Sequence, residues 1–310
     1  MATLDQFQGC LLGLALGDAL GAPVEGGIVE RLVWRVIGTT RNGEMRWTDD
    51  TQMTIDLIES FLAKGTFDPE DLAARFAASY RWSRGYGPAT AKTLKRISRG
   101  ADWREANRSV YPSGSFGNGA AMRAPVLGLI YANRPEALAQ AAPLTASVTH
   151  AHAIGMEGAV LLALATDLAA RGCGSRELLQ QATAQCALEP FTLRLAIALA
   201  WLESEQNVST AEIVRQLGHG IAAHESCVTA VYLALRFRNQ TFMELQRFLA
   251  AIQGDVDTIG AMAGAIWGAE NGAANLPPEP LEKLEQRERL IRLATSLHRQ
   301  VTEAPRAESK

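Results

Sequence analysis

The stretch RWTDDTQMTIDLIES, Arg46 to Ser60, sets Asp49 and Asp50 side by side between Thr48 and Thr51, ahead of the helically spaced apolar residues Met53, Ile55, Leu57, Ile58, Phe61 and Leu62. A second stretch, GDVDTIGAMAGAIWGA (254–269), carries Asp255, Asp257 and Thr258 ahead of another small-residue, apolar run. Taken singly, each reads as a capped helix, since Asp and Thr accept hydrogen bonds from free N–H groups at helix starts and complement the dipole. Taken together they imply more. If the two helix mouths meet, Asp49, Asp50, Asp255 and Asp257 converge, and four carboxylates cannot all stay ionised without counter-charge. Two divalent cations would balance them, and the hydroxyls of Thr48 and Thr258 would complete the all-oxygen shell that hard ions such as Mg2+ or Mn2+ prefer.

Two further polar segments interrupt the apolar pattern. In SGSFGNGAAMRAPVLGL (113–129), Gly114, Gly117 and Gly119 precede a small-residue run, so backbone N–H groups around Ser115, Gly117, Asn118 and Gly119 could cradle a pyrophosphate. The segment lacks the GKS/T ending of a P-loop, and a plain turn explains it equally well. In SVTHAHAIGMEGAVLLALA (147–165), His150 and His152 stand two apart, unlike the i, i+4 spacing of a zinc pair; a lone histidine is more often a hydrogen-bonded structural residue, but His150, just before a long apolar run, could contact a ribose hydroxyl. Glu25, in the glycine-rich loop 21–27, is a candidate lid or supporting carboxylate beyond a buried first helix.

These groups require a scaffold, and the chain is long enough for one large core. Of its 310 residues, 47% are hydrophobic, the net charge is −3, and acidic and basic residues are mixed throughout, which disfavours nucleic-acid binding. A single domain over 1–302 with a disordered tail at 303–310 is expected. Helical spacing dominates, with helices predicted over Leu4–Leu20, Asp49–Lys64, Asn118–Tyr131, Ala151–Arg171, Thr258–Asn271 and Pro280–Val301 among others; only RLVWRVI (31–37) reads as a strand. The expected class is therefore all-α, a single compact multi-helix bundle. Gly9, Gly13 and Gly17 make a smooth face on which another helix can approach closely. The apolar N-terminus lacks a basic leader, carries Asp5 and Asp18, and is too short and glycine-broken for a membrane span, so a core helix is expected. Cys10, Cys173, Cys186 and Cys227 form no CxxC pair, and free thiols in a reducing cytoplasm are expected.

In combination, GCLLGLALGDALGAPVE (9–25), WTDDTQMT (47–54), GSFGNGAAMRAPVLGL (114–129), THAHAIG (149–155) and GDVDTIGAMAGAIWGA (254–269) resemble the ADP-ribosylglycohydrolase family, all-α enzymes that remove ADP-ribose from proteins with two Mg2+ or Mn2+ ions. The resemblance implies that Thr48, Asp49, Asp50, Asp255, Asp257 and Thr258 hold the metals. It makes Glu25 the loop glutamate beside them, Ser115, Phe116, Gly117, Asn118 and Gly119 the diphosphate and ribose loop, and His150 a ribose contact. It also implies metal-assisted glycosidic cleavage of an ADP-ribosylated protein or polymer, with ADP-ribose as product, and Glu25, Asp50 or Asp257 assisting proton transfer. The last motif departs from the family's usual GGDxDT: Gln253 replaces a glycine that can adopt more backbone conformations.

Linkage preference is addressed by SRGYGPATAKTL (83–94). The arginine-directed branch, which includes the activator of dinitrogenase reductase, typically carries an aspartate here, whereas this chain has no acidic residue between Ser83 and Gly100. Arg84-Gly85-Tyr86-Gly87 instead resembles the branch acting on serine-linked and polymeric ADP-ribose, so an O-linked substrate is expected. The alternatives are an arginine-directed hydrolase, a non-catalytic ADP-ribose-binding or structural protein on the same fold, and a helical bundle whose aspartates are only caps.

Overall fold

The computed structural model of the chain describes residues 2–204 and 207–303. In order, the helices are α1 Leu4–Gly21, α2 Ile28–Ile37, α3 Asp49–Lys64, α4 Pro69–Ser79, α5 Pro88–Ile97, α6 Trp103–Ala106, α7 Pro125–Ile130 and α8 Pro135–Ser147. They continue with α9 Ala153–Ala170, α10 Ser175–Gln185, α11 Glu189–Glu203, α12 Thr210–Gln216, α13 Ala223–Arg236, α14 Phe242–Ile252, α15 Val256–Asn271, α16 Pro278–Glu282 and α17 Arg287–Glu303. The class is all-α as expected; among the described residues, extended pairing is limited to the bridges Thr39–Met45, Met45–Leu284 and Gly117–Ala222.

The centre of the fold is the pair α1 and α15. Helix α1 starts at Leu4 because Thr3 and Gln6 satisfy each other's free N–H groups in a capping box. Its glycine face then meets the glycines of α15: a Cβ on Gly9, Gly13 or Gly17 would overlap the carbonyl oxygen of Gly268, Gly264 or Gly260 in turn. Main chain thus rests on main chain, which only residues without a side chain allow. Around this pair pack α3, α7 and α17 on the α1 side and α9, α13 and α14 on the α15 side. Leu11, Leu14, Leu16, Met53, Ile55 and Leu57 are buried from water, each worth roughly 1.5–3 kcal/mol relative to exposure. By length and composition Leu4–Val24 and α9 could each cross a bilayer, contrary to the expectation for the N-terminus; 78% and 67% of these windows lie inside the protein, which is what marks them as core helices.

Three segments differ from expectation. RLVWRVI is helical, within α2, because Ile28, Val29, Leu32, Val33 and Val36 recur at helical rather than alternating spacing and, among the described residues, no neighbouring strand takes up a ladder. Asn118–Tyr131 is not one helix: a 3-10 turn at Asn118–Ala120 and a bend precede α7, whose first residue is Pro125, a residue that cannot donate within a continuous helix. Pro280–Val301 divides into α16 and α17, with Gln286 at φ +55° in the break. The break frees the Trp47 and Glu285 region to pair, since the Trp47 indole N–H donates to the Glu285 carbonyl at 3.0 Å. Helix α17 includes Glu303, the first residue of the expected tail, while 304–310 lie outside the described residues. The four cysteines are free.

Candidate active site

Helices α1, α3 and α15 bring their acidic ends together. The N-cap of α3 is Thr48, whose hydroxyl donates to Asp50 Oδ2 at 2.8 Å and accepts weakly from the Asp50 N–H at 3.4 Å. At α15 the N-cap is Asp255, yet its side chain makes no capping bond and instead accepts from the Asn118 amide at 2.6 Å. Capping therefore does not account for Asp50 or Asp255. Thr258 reaches across from α15, its hydroxyl 3.5 Å from Asp50 Oδ2, so the two helix mouths do meet.

The carboxylate oxygens gather into two groups. Asp18, Asp50 and Asp257 offer oxygens within 4.8 Å of one another, and Glu25, Asp255 and Asp257 do the same, with Asp257 shared. Asp49 is in neither group; it is only partly covered, and its Oδ1 lies 3.8 Å from where a Cβ on Gly85 would be. Asp50 Oδ1 is buried without a hydrogen-bond partner. An orphaned carboxylate oxygen in a crowd of carboxylates fits a cation, because burial alone would demand a donor there. Thr48, Asp49, Asp50, Asp255, Asp257 and Thr258 thus all lie at or beside one acidic centre.

The strain of that centre is visible in its proton affinities. Burial, followed by the charge of Asp18, pushes Asp49 and Asp50 well above the usual carboxylate range. Burial does the same to Asp257, followed by the charges of Glu25, Asp50 and Asp255 and by a hydrogen bond with Glu25. Asp255 is raised by burial against the lowering effect of Asn118. Asp18 is pushed up by burial to about 6, opposed by hydrogen bonds from Thr51 and Thr48.

Asp18 is the residue that sequence reasoning missed. It is fully buried, accepts from the Thr48 N–H at 2.9 Å and the Thr51 N–H at 3.1 Å, and takes the Thr51 hydroxyl at 2.6 Å. It thereby ties the end of α1 to the start of α3. The available signal was a carboxylate directly after Gly17, on a helix otherwise apolar and flat. Glu25 follows a 3-10 turn, Ala22–Val24, that extends α1, so the stretch 21–27 is loop only from Glu25 onward. Gly21, just before that turn, could not carry a Cβ, which would come within 2.7 Å of the Asp257 nitrogen.

A second wall consists of turns. Gly114 at φ +85° turns the chain into Ser115–Gly119, and Ser115 accepts the Gly117 N–H at 3.2 Å. The loop is fastened to residues 218–223, which the sequence did not single out: Asn118 N–H donates to the Ile221 carbonyl at 2.9 Å and Ala223 N–H to the Phe116 carbonyl at 3.1 Å. Phe116 is 47% exposed and stands edge-on to His152, which caps α9. His150 is buried, with its ring against Gly119: a Cβ there would lie 2.9 Å from Nε2. Asn118 joins the two walls through its bond to Asp255.

A third element, Ser83–Gly87, borders the acidic centre. Gly85 packs on Thr48 and Asp49, and Arg84 turns inward, donating to the Trp47 carbonyl at 2.7 Å and to both Glu285 oxygens at 2.6 and 2.9 Å while stacking on the Trp47 ring. The residue before Thr48 is thus held from the far end of the chain. At residue 253 the chain adopts φ +63°, ψ −164°, a conformation suited to glycine, although Gln253 occupies it.

Comparison with known proteins agrees with this arrangement. ADP-ribosylhydrolase ARH3 of Mus musculus is 36% identical over 342 aligned residues, covering 96% of this chain and 92% of its own; the Homo sapiens protein is likewise 36% identical, covering 96% and 94%. ADP-ribosylarginine hydrolase Tri1 of Pseudomonas putida is 26% identical, covering 95% of this chain and 78% of its own. A solved structure described as an ADP-ribosylglycohydrolase-related protein complex superposes with a TM-score of 0.70 at 29% identity, covering 96% of this chain and 98% of that one. The ADP-ribosylglycohydrolase family profile matches residues 1–307. With the two acidic helix mouths meeting as the family motifs imply, the chain belongs to the ADP-ribosylglycohydrolases and is a hydrolase of that family.

Proposed function

We propose that this hydrolase cleaves O-linked ADP-ribose, from serine or from another ribose of a polymer, at a centre holding two divalent cations, Mg2+ or Mn2+. The observation that carries the linkage preference is the Ser83–Gly87 wall. It presents Gly85 to Asp49, and its only cation, Arg84, is committed to Glu285. A departing guanidinium would find no carboxylate in that wall, and paired hydrogen bonds to a carboxylate are what select guanidinium groups. A hydroxyl leaving group needs none. The higher identity to the ADP-ribosylhydrolases than to the ADP-ribosylarginine hydrolase supports the same reading.

Asp18, Asp50 and Asp257 would hold one cation and Glu25, Asp255 and Asp257 the other, with Asp49, Thr48 and Thr258 completing the oxygen set. When bound, the cations would offset the carboxylate charge and polarise ribose hydroxyls and a water near the anomeric carbon. Ser115 and Gly119 offer hydroxyl and backbone donors to the diphosphate, Phe116 a face for stacking, and His150 a ribose contact. Asn118 orients Asp255 through its amide hydrogen bond. Glu25 stands beside Asp257 at the mouth of the acidic centre, and Glu25, Asp50 and Asp257 are the carboxyls placed to carry a proton to the leaving oxygen. The surrounding negative charge stabilises the oxocarbenium-like transition state.

Measuring kcat/KM on matched serine-linked and arginine-linked ADP-ribosyl peptides tests the preference. A serine preference of about tenfold or more is expected, and a preference for arginine overturns it. Glu25→Gln is expected to lower kcat more than it weakens ADP-ribose binding; equal losses would make Glu25 a positioning residue instead.

A further inference from the structure

The mechanism leaves one fully buried cation unused. Arg123, 1% exposed, follows the glycine loop, stacks on the Phe76 ring at 4.7 Å, and donates to the Gly119 carbonyl, to the Thr145 carbonyl at 3.0 Å and to the Thr149 hydroxyl oxygen at 3.0 Å. The Thr149 hydroxyl is in turn 2.8 Å from His150 Nδ1. A guanidinium can only donate, so the Thr149 oxygen must accept from it, and its own hydrogen is left to be given elsewhere. His150 Nδ1 is the acceptor within reach. Were Nδ1 protonated instead, two donors would point at one hydroxyl oxygen and the hydroxyl hydrogen would be buried unpaired, an arrangement that is costly away from water.

We propose that Arg123 and Thr149 are positioning residues that lock His150 as the neutral tautomer protonated at Nε2, so that the ring offers an N–H donor beside Gly117 and Gly119. The donor's target, a ribose hydroxyl, rests on the reading of the site given above; the tautomer does not. Charge state agrees, since burial and then the Arg123 guanidinium hold His150 down to about 3, keeping the ring neutral. Geometry explains the glycines too: the His150 ring lies where a Cβ on Gly119 would be, and Nε2 is 3.5 Å from the corresponding position on Gly117.

Long-range proton–nitrogen NMR on histidine-labelled protein reads this directly, since the chain has five histidines and His150→Gln identifies one set of signals. The expected result at pH 7 is an N–H-type Nε2 and an unprotonated Nδ1. Thr149→Val, which keeps the shape and removes the hydroxyl, is expected to shift His150 toward Nδ1 protonation and to weaken ADP-ribose binding about tenfold, and Thr149→Ser to restore both. A wild-type ring protonated at Nδ1, or Thr149→Val spectra unchanged at His150, overturns the proposal. Protein that shows the predicted nitrogen signature but neither binds nor hydrolyses ADP-ribose would leave the tautomer lock standing and refute the functional reading. Arg123→Met tests the deeper link, but the Thr149 pair decides the matter if that variant does not fold.

Discussion

The acidic wall and the glycine-loop wall of the site are built by opposite means. Asp18, Asp50, Asp255 and Asp257 stand at the ends of α1, α3 and α15, long helices whose main chains touch or whose ends are tied by hydrogen bonds. Ser115–Gly119 and 218–222 are turns held by a few loop-to-loop bonds and by Arg123. Like charges crowded together repel, so only a stiff frame keeps them at cation-binding separations, whereas a loop that lies along a diphosphate needs bare backbone rather than stiffness. Rigidity here follows the charge.

The sharpest way to break that contrast is to remove a carboxylate. Asp50→Ala and Asp257→Ala are expected to lower kcat/KM by about a thousandfold through lost cation binding, with metal-free melting temperature unchanged or raised because repulsion is relieved. Full activity of these variants in chelator-treated, Mg2+-replenished buffer would refute the two-cation reading. Asp18→Ala should differ, losing stability even without metal, because the Thr48 and Thr51 donors then have no acceptor.

Next in size is the frame itself. Gly13→Val drives a side chain into the Gly264 carbonyl and is expected to cost at least about 3 kcal/mol in denaturant unfolding. A valine at exposed Gly87, in the Ser83–Gly87 element beside the site, where a Cβ meets nothing, should cost well under that. Equal costs would remove the distinction between the stiff helix frame and the irregular chain beside it.

Much of the acidic wall was legible in the sequence because carboxylates adjacent to helix starts leave a pattern, and α3 spans Asp49–Lys64 as predicted. The turn wall was less so: a helical period across Asn118–Tyr131 hid a 3-10 turn and a bend, and partners 218–222 carry no motif of their own. Asp18, Arg123 and the Arg84–Glu285 pair escaped because each acts through a contact distant in sequence, 30, 26 and 201 residues away. In α2, β-branched residues suggested a strand where spacing favoured a helix.

A smaller test separates charge strain that metal relieves from strain that it does not. Asp56, on α3 below the site, is pushed up to about 7 by burial, against hydrogen bonds from Ser79 and Gln52; Glu59 raises it further and Arg289 lowers it, and the Tyr86 phenol and Arg123 guanidinium are also within its field. Its native pKa lies above that of an unfolded aspartate, about 3.9, so the folded state binds more protons in between. Stability should therefore fall as pH rises from about 4 to about 7 and level off above. Asp56→Asn is expected to flatten that slope and add about 1–3 kcal/mol at pH 8, with or without Mg2+. A slope that survives the substitution would assign it to other groups. Smallest is Gln253→Gly, which relieves a left-handed backbone and should add about 1 kcal/mol, read as a raised denaturant midpoint.

The glycine contact between α1 and α15 bears finally on how freely this sequence can drift. Gly17 is one peptide bond from Asp18, and Gly21 rests on the main chain of Asp257. The distance between the main chains that carry these two carboxylates is therefore set by the radii of main-chain atoms, with no other side chain in between. Volume-conserving exchanges at Leu11, Leu14, Ile259 or Ile266 can accumulate while that gauge keeps its setting. A single methyl group on the gauge itself has nowhere to go, so mutational tolerance changes abruptly between adjacent residues of one helix.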